Sequence, residues 1–210
     1  MVEKILMEFS KKERSVIERH RTPRQVQEYL RSLPYNWENT LRSFRQVVKH
    51  GTANCIEAAL SAAAIMEQHG HPPLLLDLES VDKLDHVLFV FQIRDKWGSI
   101  GKSRDAGLHG RKPVFTTIRE LVLSYVEPYV DATGRICGYG VSDLNELTRA
   151  DWRTSERNVW IIEKALIARP RHRLRTSNAE YKAILARFLE FKESHGAKAY
   201  PYADHDGTWL

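Results

Sequence analysis

Residues 51–70 read GTANCIEAALSAAAIMEQHG, a stretch with a strong helical pattern and defined ends. The alanine-rich run that begins at Cys55 favours an α-helix. Asn54 stands directly before the run, and asparagine is a favoured N-cap residue. Gly70 follows the run, and the two prolines after it prevent a continuation of the helix. The sequence therefore predicts a helix from Cys55 to His69.

Cys55 falls in the first turn of this predicted helix. Unpaired N–H groups and the helix dipole stabilise a negative charge at that position. A thiol placed there is expected to have a lowered pKa and to act as a nucleophile. The second cysteine, Cys137, has no helix start and no base beside it, and we interpret it as a small buried residue.

Three apolar runs follow the helix and predict a sheet. Residues 74–78 form a short strand, and 79–85 form a polar loop. The β-branched and aromatic run 86–93 is long enough for a central strand, and 97–100 is interpreted as the returning strand. His86 opens the central strand, so its imidazole is expected at the edge of the sheet, over the start of a helix.

These features together resemble the transglutaminase-like segment of papain-fold cysteine enzymes. The residues that carry the resemblance are Gly51-Thr52-Ala53-Asn54-Cys55, the alanine-rich helix, His69-Gly70-His71-Pro72-Pro73, Asp85-His86-Val87 and Lys96-Trp97-Gly98. Over most of its length the chain also resembles a group of uncharacterised bacterial proteins with this core. The resemblance implies an α+β fold with a papain-like core, in which an antiparallel sheet packs on the cysteine-bearing helix. It also implies a Cys-His-Asp triad acting in acyl transfer.

The chain departs from the family at the third catalytic position. The aspartate that the family has after the tryptophan strand falls near Gly101, which has no side chain to offer. Asp105 is our candidate, because a carboxylate stabilises an imidazolium better than a hydroxyl does. Ser103 is the alternative third member. Asp85 neighbours His86 on a strand and would point to the opposite face.

An acyl-transfer site also needs donors for an oxyanion. The backbone N–H of Cys55 is one candidate. Gln46, Trp37 and Tyr35 are candidates for the side-chain donor, and the sequence does not choose among them. Cys55 and Gln46 are our oxyanion-hole candidates.

The length of 210 residues fits a single domain, 1–210. A helical N-terminal part, 1–50, precedes the transglutaminase-like core at 51–141, and a helical C-terminal extension follows at 142–210. The predicted helices of the flanks are 11–20, 24–33, 40–49, 155–168 and 177–193. Ser155 is the expected cap of the fourth of these, and residues 129–139 are interpreted as a hairpin.

Composition indicates a soluble protein. Charged residues make up 28% of the chain, and mean hydropathy is −0.45. No run approaches the roughly 18 apolar residues of a membrane span. Two cysteines without a disulfide framework, and an N-terminus without a signal-peptide pattern, favour the cytoplasm. No zinc or phosphate-loop pattern is present, so no metal and no cofactor are expected. The sequence does not indicate an oligomeric state.

Two basic segments raise the question of partners, on a chain of net charge +5. The loop 101–113 carries Lys102, Arg104, Arg111 and Lys112, and is either a lid or substrate rim or a solvated surface loop. The basic linker 169–175 has only His172 as a ring for stacking, so any nucleic-acid binding is expected to be weak and unselective.

We therefore predict a cysteine-dependent acyl-transfer enzyme that acts on an amide, in the manner of a peptidase, deamidase or transglutaminase. Its substrate would be a protein, a peptide or a small amide. Cys55 is the nucleophile and His86 the base. The alternative is a catalytically inactive papain-fold module that binds an acidic protein or nucleic acid.

Overall fold

The protein is an α+β structure, described by a computed structural model over residues 9–131, 133–196 and 209. The helices in these ranges are α1 Lys11–Arg19, α2 Pro23–Ser32, α3 Phe44–His50, α4 Cys55–Glu67, α5 Ile118–Tyr129, α6 Leu144–Leu147, α7 Ile161–Ala168 and α8 Asn178–His195. The strands are β1 Leu74–Ser80, β2 His86–Ile93, β3 Lys96–Ile100, β4 Arg111–Phe115, β5 Ile136–Asp143 and β6 His172–Arg173, and a short 3₁₀ helix covers Ala106–Leu108.

The six strands form one antiparallel sheet in the order β4-β3-β2-β1-β5-β6. The apolar run of β2 lies near the middle, as its composition predicts, and β1 pairs with it so that Leu78 stands opposite His86. The antiparallel sheet and the α+β class agree with the sequence-based expectation. None of the helices in the described ranges is long and apolar enough to cross a bilayer.

Strand β2 is buried on both faces, and its side chains alternate between two cores. Val87, Phe89 and Phe91 pack in a cluster with α4 and the N-terminal helices. Leu88 and Val90 pack on the opposite face in a cluster with α5. Helix α4 is buried along most of its length. Its small alanine side chains let it lie close against the sheet.

Capping side chains set the starts of several helices where the sequence predicts them. Thr22 caps α2, and Pro23 occupies its first position. Ser177 caps α8. Helix α3 begins at Phe44 rather than at residue 40, because Ser43 is the cap. Thr40 and Arg42, which precede the helix, donate hydrogen bonds to Glu57 instead.

Other boundaries differ from the prediction. Helix α5 continues to Tyr129, so the predicted first arm of the 129–139 hairpin is the end of a helix, and β5 pairs with the distant β1 instead. Helix α7 begins at Ile161, with no side-chain cap, and not after Ser155. Strand β4 occupies part of the predicted polar loop.

Candidate active site

Cys55 is the first residue of α4, as predicted. The residue is partly exposed and lines three cavities of about 170, 340 and 240 Å³. The first of these, the thiol cavity, is also lined by His86, Ser103, Asp105 and Tyr35. The cysteine and the histidine that the sequence singles out therefore share one cavity, although they are far apart in the chain.

The start of α4 is held by a buried carboxylate that the sequence reasoning overlooked. Glu57 accepts hydrogen bonds from the side chain of Asn36 (2.9 and 3.1 Å), from the hydroxyl of Thr40 (2.7 Å) and from the backbone N–H of Arg42 (3.0 Å) and Asn54 (3.0 Å). Asn54 in return accepts from the backbone N–H of Glu57, which completes a capping box. Glu57 thus ties the segment before α3 to the helix end that presents the thiol.

The electrostatic environment of the thiol corrects one expectation. Burial raises the pKa of Cys55, although the backbone N–H groups of Val87, Ile56 and Cys55 itself point at the sulfur and act in the opposite direction. The negative charge of Glu57 adds to the increase. The helix start is present, but loss of solvation outweighs it, so the predicted lowering of the thiol pKa is wrong.

His86 opens β2 and is almost completely buried. Its Nε2 atom lies 2.9 Å from the carbonyl oxygen of Leu108. A carbonyl oxygen only accepts hydrogen bonds, so this contact requires the proton on Nε2 and leaves Nδ1 with a lone pair. Burial lowers the pKa of His86 to about 4; the hydrogen bond to Leu108 acts against this, and the charge of Arg111 adds to it. The imidazole is therefore neutral at pH 7.

The two candidates for the third catalytic position, Ser103 and Asp105, both line the thiol cavity. The hydroxyl of Ser103 accepts the backbone N–H of Asp105 at 3.1 Å, and the carbonyl of Ser103 contacts His109. Across the described residues no hydrogen bond joins Asp105 or Ser103 to His86, or joins Cys55 to His86. The hydrogen-bond partner of the imidazole is the main chain at Leu108.

Gly101, near which the resemblance predicts the aspartate, has little free space around it. A Cβ atom there would lie 2.1 Å from the side chain of Leu88, and both backbone polar groups of Gly101 bind Gln27 at 2.9 Å. A larger residue at this position would displace the side chain of Leu88.

Of the oxyanion candidates, Gln46 is committed elsewhere. Its amide nitrogen donates to Glu156 at 2.6 Å, and its oxygen contacts His50 at 3.1 Å. It does not line the described cavities at Cys55. Tyr35 does line the thiol cavity, and burial, together with the charge of Cys55, raises its pKa to about 12. Its hydroxyl therefore keeps a proton that it can donate.

Two of the four cations in the loop 101–113 are buried inside the protein, so they form neither a solvated basic surface nor a substrate rim. Lys102 is buried, and its ammonium group donates to the carbonyl of Leu33. Arg111 is completely buried and binds backbone carbonyls. Arg104 and Lys112 are exposed, and Arg104 lies over the ring of Trp37 at 5.6 Å.

The basic linker 169–175 also turns one cation inward. Arg171 donates to the carboxylates of Asp77 and Asp85 and lies 3.4 Å from that of Glu79. Burial raises the pKa of Asp77 to about 6 in spite of this arginine. Arg171 is therefore occupied by protein carboxylates and is not free to contact a phosphate.

Within the described ranges, no three His, Cys, Asp or Glu side chains come together as a group that could hold a metal ion. The side chains that line the thiol cavity include a thiol, a neutral imidazole, the phenols of Tyr35 and Tyr129, four aspartates and Arg104.

The fold and the site describe an α+β protein in which a thiol and an imidazole line one cavity. No protein-family model and no curated protein matches the chain. Among solved structures, the chain is similar to EGTA-treated LapG of Legionella pneumophila, with a TM-score of 0.37 and 8% sequence identity. The match covers 78% of this chain and 95% of that one.

Proposed function

We propose that this protein is a cysteine-dependent acyl-transfer enzyme with a papain-like core, acting on an amide bond. The observation that carries the proposal is the presence of Cys55 and His86 in one cavity, with Nε2 of the imidazole 2.9 Å from the carbonyl oxygen of Leu108, which assigns the proton to Nε2. A neutral imidazole with a free Nδ1 is the form that can accept the proton of a thiol. The substrate would be a protein, a peptide or a small amide.

The reaction begins with a neutral pair, because the thiol is protonated and the imidazole is not. Sγ of Cys55 attacks the carbonyl carbon of the amide, while its proton passes to Nδ1 of His86. The oxygen that gains charge accepts hydrogen bonds from the backbone N–H of Cys55 and from the hydroxyl of Tyr35. His86 then gives the proton to the leaving amine as the C–N bond breaks, which leaves a thioester on Cys55.

The second half of the reaction repeats these roles. His86 accepts a proton from water or from an acceptor amine, whose oxygen or nitrogen attacks the thioester. The thiolate leaves and recovers its proton from His86. Water would make the protein a hydrolase, and an amine would make it a transferase. The thiol and imidazole are not hydrogen-bonded in the described residues, and such contacts are often long before a substrate binds.

One observation favours the second candidate, a catalytically inactive binding module. The thiol pKa is raised by burial, so little thiolate is available at rest. The basic surface that such a module would use for nucleic acid or an acidic protein is reduced, however, since Arg171 is paired with carboxylates and Lys102 and Arg111 are buried.

Trapping of an acyl-enzyme separates the two candidates. The Cys137→Ser chain, which keeps a single thiol, would be incubated with a library of peptide and small amides and activated esters. Intact-mass spectrometry should detect an acyl adduct on Cys55, and amine release should follow. Cys55→Ala should give neither, and His86→Ala should slow acylation by about 100-fold or more, a loss typical of a missing general base. The proposal fails if no amide or ester acylates Cys55 and iodoacetamide modifies it no faster than Cys137 in the native chain.

A further inference from the structure

Arg111 is a buried cation whose hydrogen bonds all go to uncharged groups. It is the first residue of β4 and is completely buried. Its guanidinium donates to the carbonyl oxygens of Gly107 (2.6 Å), His109 (2.7 Å) and Gly110 (3.4 Å), and to the carbonyl and hydroxyl oxygens of Ser124 (both 3.3 Å). It also stacks on the ring of Tyr125, 4.0 Å from its centroid. A charge buried without a counter-ion is costly, so this arrangement calls for an explanation.

The residues that Arg111 binds surround the one that orients the imidazole. The carbonyls of Gly107 and His109 point to the guanidinium, whereas the carbonyl of Leu108, between them, points to Nε2 of His86. Fixing the carbonyls on both sides leaves the peptide group at Leu108 little freedom to rotate. The planar fork of an arginine can bind several carbonyls at once, and the single ammonium of a lysine cannot reproduce that geometry.

Two further side chains restrain the same loop. The hydroxyl of Tyr125 donates to the carbonyl of His109 at 3.0 Å. Gln27 accepts the backbone N–H of Gly110 at 3.2 Å and also holds Gly101 at the other end of the loop. Gln27 therefore joins the two ends of the loop, and Arg111 binds the carbonyl oxygens of Gly107, His109 and Gly110 within it.

We propose that Arg111 is a positioning residue for His86. Arg111 holds the loop so that the carbonyl oxygen of Leu108 stays against Nε2 of His86. Nδ1 then remains the nitrogen that accepts the proton of Cys55. The inference rests on the proposed function for its catalytic meaning. Its structural content, which is the tautomer of His86, stands apart from whether the thiol reacts. Arg111 does not touch the cavity at Cys55 and acts through the loop.

The charge of Arg111 works in the same direction as its geometry. A cation near the imidazole disfavours a second proton, and it adds to the effect of burial on the pKa of His86. The other titratable or charged groups around His86 are Cys55 from α4, Tyr35, Asp82 and Asp85 before β2, Arg104, Asp105 and His109 in the loop, and Tyr129 and Asp131 at the end of α5. The group that orients the imidazole is a neutral carbonyl and not a carboxylate. It therefore adds no negative charge that would stabilise a protonated His86.

The test reads the imidazole directly by long-range ¹H–¹⁵N NMR of the full chain in the Cys55→Ala background. In that chain, with Arg111 retained, His86 should carry its proton on Nε2 at pH 7 and remain neutral down to about pH 5. Arg111→Lys keeps the charge and loses the fork, so it should give a mixture of the two tautomers. Arg111→Met loses both, so it should also raise the pKa of His86 by about one unit. Arg119→Met, at an exposed site on α5, is the matched control and should change neither.

The proposal is overturned if His86 carries its proton on Nδ1 while Arg111 is present, or if folded Arg111 variants keep the tautomer and pKa of the parent. The first of these outcomes needs no Arg111 variant, so failure of Arg111→Met to fold leaves the test intact. Because Cys55 is absent from the tested chain, an unreactive thiol would refute the proposed function without affecting this result.

Discussion

The Nε2 atom of His86 lies 2.9 Å from the main-chain carbonyl oxygen of Leu108. This contact supplies the acceptor that an imidazole needs for a fixed tautomer, and it comes from the backbone rather than from a carboxylate. Asp105 lines the same cavity, and its backbone N–H binds Ser103. A neutral acceptor orients the ring but gives an imidazolium less stabilisation than a carboxylate would. The first prediction follows from this difference.

Replacement of Asp105 should have a small effect on the chemistry. Asp105→Asn should leave the rate of Cys55 acylation or alkylation within about threefold of the parent, because His86 is oriented by Leu108. His86→Ala should lower the same rate by about 100-fold or more. Both rates would be measured at pH 7 on the Cys137→Ser chain, with circular dichroism as the check on folding. A loss for Asp105→Asn as large as that for His86→Ala would restore the carboxylate to the triad, and a loss confined to Ser103→Ala would move the role to Ser103.

The charge around Cys55 should determine which electrophiles reach it. The three cavities at the thiol are lined by the carboxylates of Glu38, Asp77, Asp82, Asp85, Asp105, Asp131 and Glu163, and by the cations Lys83, Arg104 and Arg171. The site is thus more acidic than the chain, whose net charge is +5. The relevant quantity is the rate constant for neutral iodoacetamide divided by that for iodoacetate, which is an anion. This ratio should therefore be about tenfold higher at Cys55 than at free 2-mercaptoethanol.

Two variants bracket this prediction. Arg104→Gln removes an exposed cation and should increase the discrimination against iodoacetate. Asp105→Asn removes a carboxylate and should decrease it. Second-order rate constants at low salt are the measurement. Equal discrimination at Cys55 and at the small thiol would mean that the carboxylates do not influence the approach to the sulfur.

Glu57 should be the carboxylate on which the start of α4 depends for stability. Glu57→Gln places an amide NH₂ against donors such as the N–H groups of Arg42 and Asn54, so buried groups lose their partners. The expected loss in the free energy of unfolding is about 2–4 kcal/mol. Glu38→Gln is the control, since Glu38 is exposed and its pair with Arg42 should contribute about 1 kcal/mol or less. Urea denaturation measures the free energy of unfolding of both variants. Equal losses would show that the buried hydrogen bonds of Glu57 contribute no more to stability than the exposed pair of Glu38.

Much of the framework could be predicted because its signals are local. The alanine-rich run and Asn54 define α4, and the double proline and the β-branched run define β1 and β2. The spacing of Asn54 and Glu57 is that of a capping box, so Glu57 was within reach of sequence reasoning. Features that depend on distant partners were not. The predicted hairpin at 129–139 is wrong because β5 pairs with β1, which precedes it by more than fifty residues.

The site itself shows the same division. A helix start is visible in a sequence, but the burial that raises the pKa of Cys55 comes from elements far along the chain. A backbone carbonyl such as that of Leu108 has no residue type, so no sequence pattern marks it as the partner of His86. Arg111 lies in the polar loop that the sequence predicts at 101–113, and only the folded chain shows the carbonyls that it binds.

The buried neutral His86 should make the protein sensitive to mild acid. Its pKa is about 4 in the folded chain, against an ordinary value of 6.5. Between these two pH values the unfolded chain binds more protons than the folded one, so stability is fully present above about pH 6.5 and falls as the pH drops toward 4. The contribution lost between pH 7 and pH 5 is about 2 kcal/mol. Urea unfolding at the two pH values should reveal this loss. His86→Gln can keep a donor to Leu108 and should reduce the pH dependence by that amount, whereas His195→Gln, at an exposed site on α8, should leave it unchanged. An identical pH dependence in parent and His86→Gln would mean that the imidazole is already protonated, or solvated, in the folded protein.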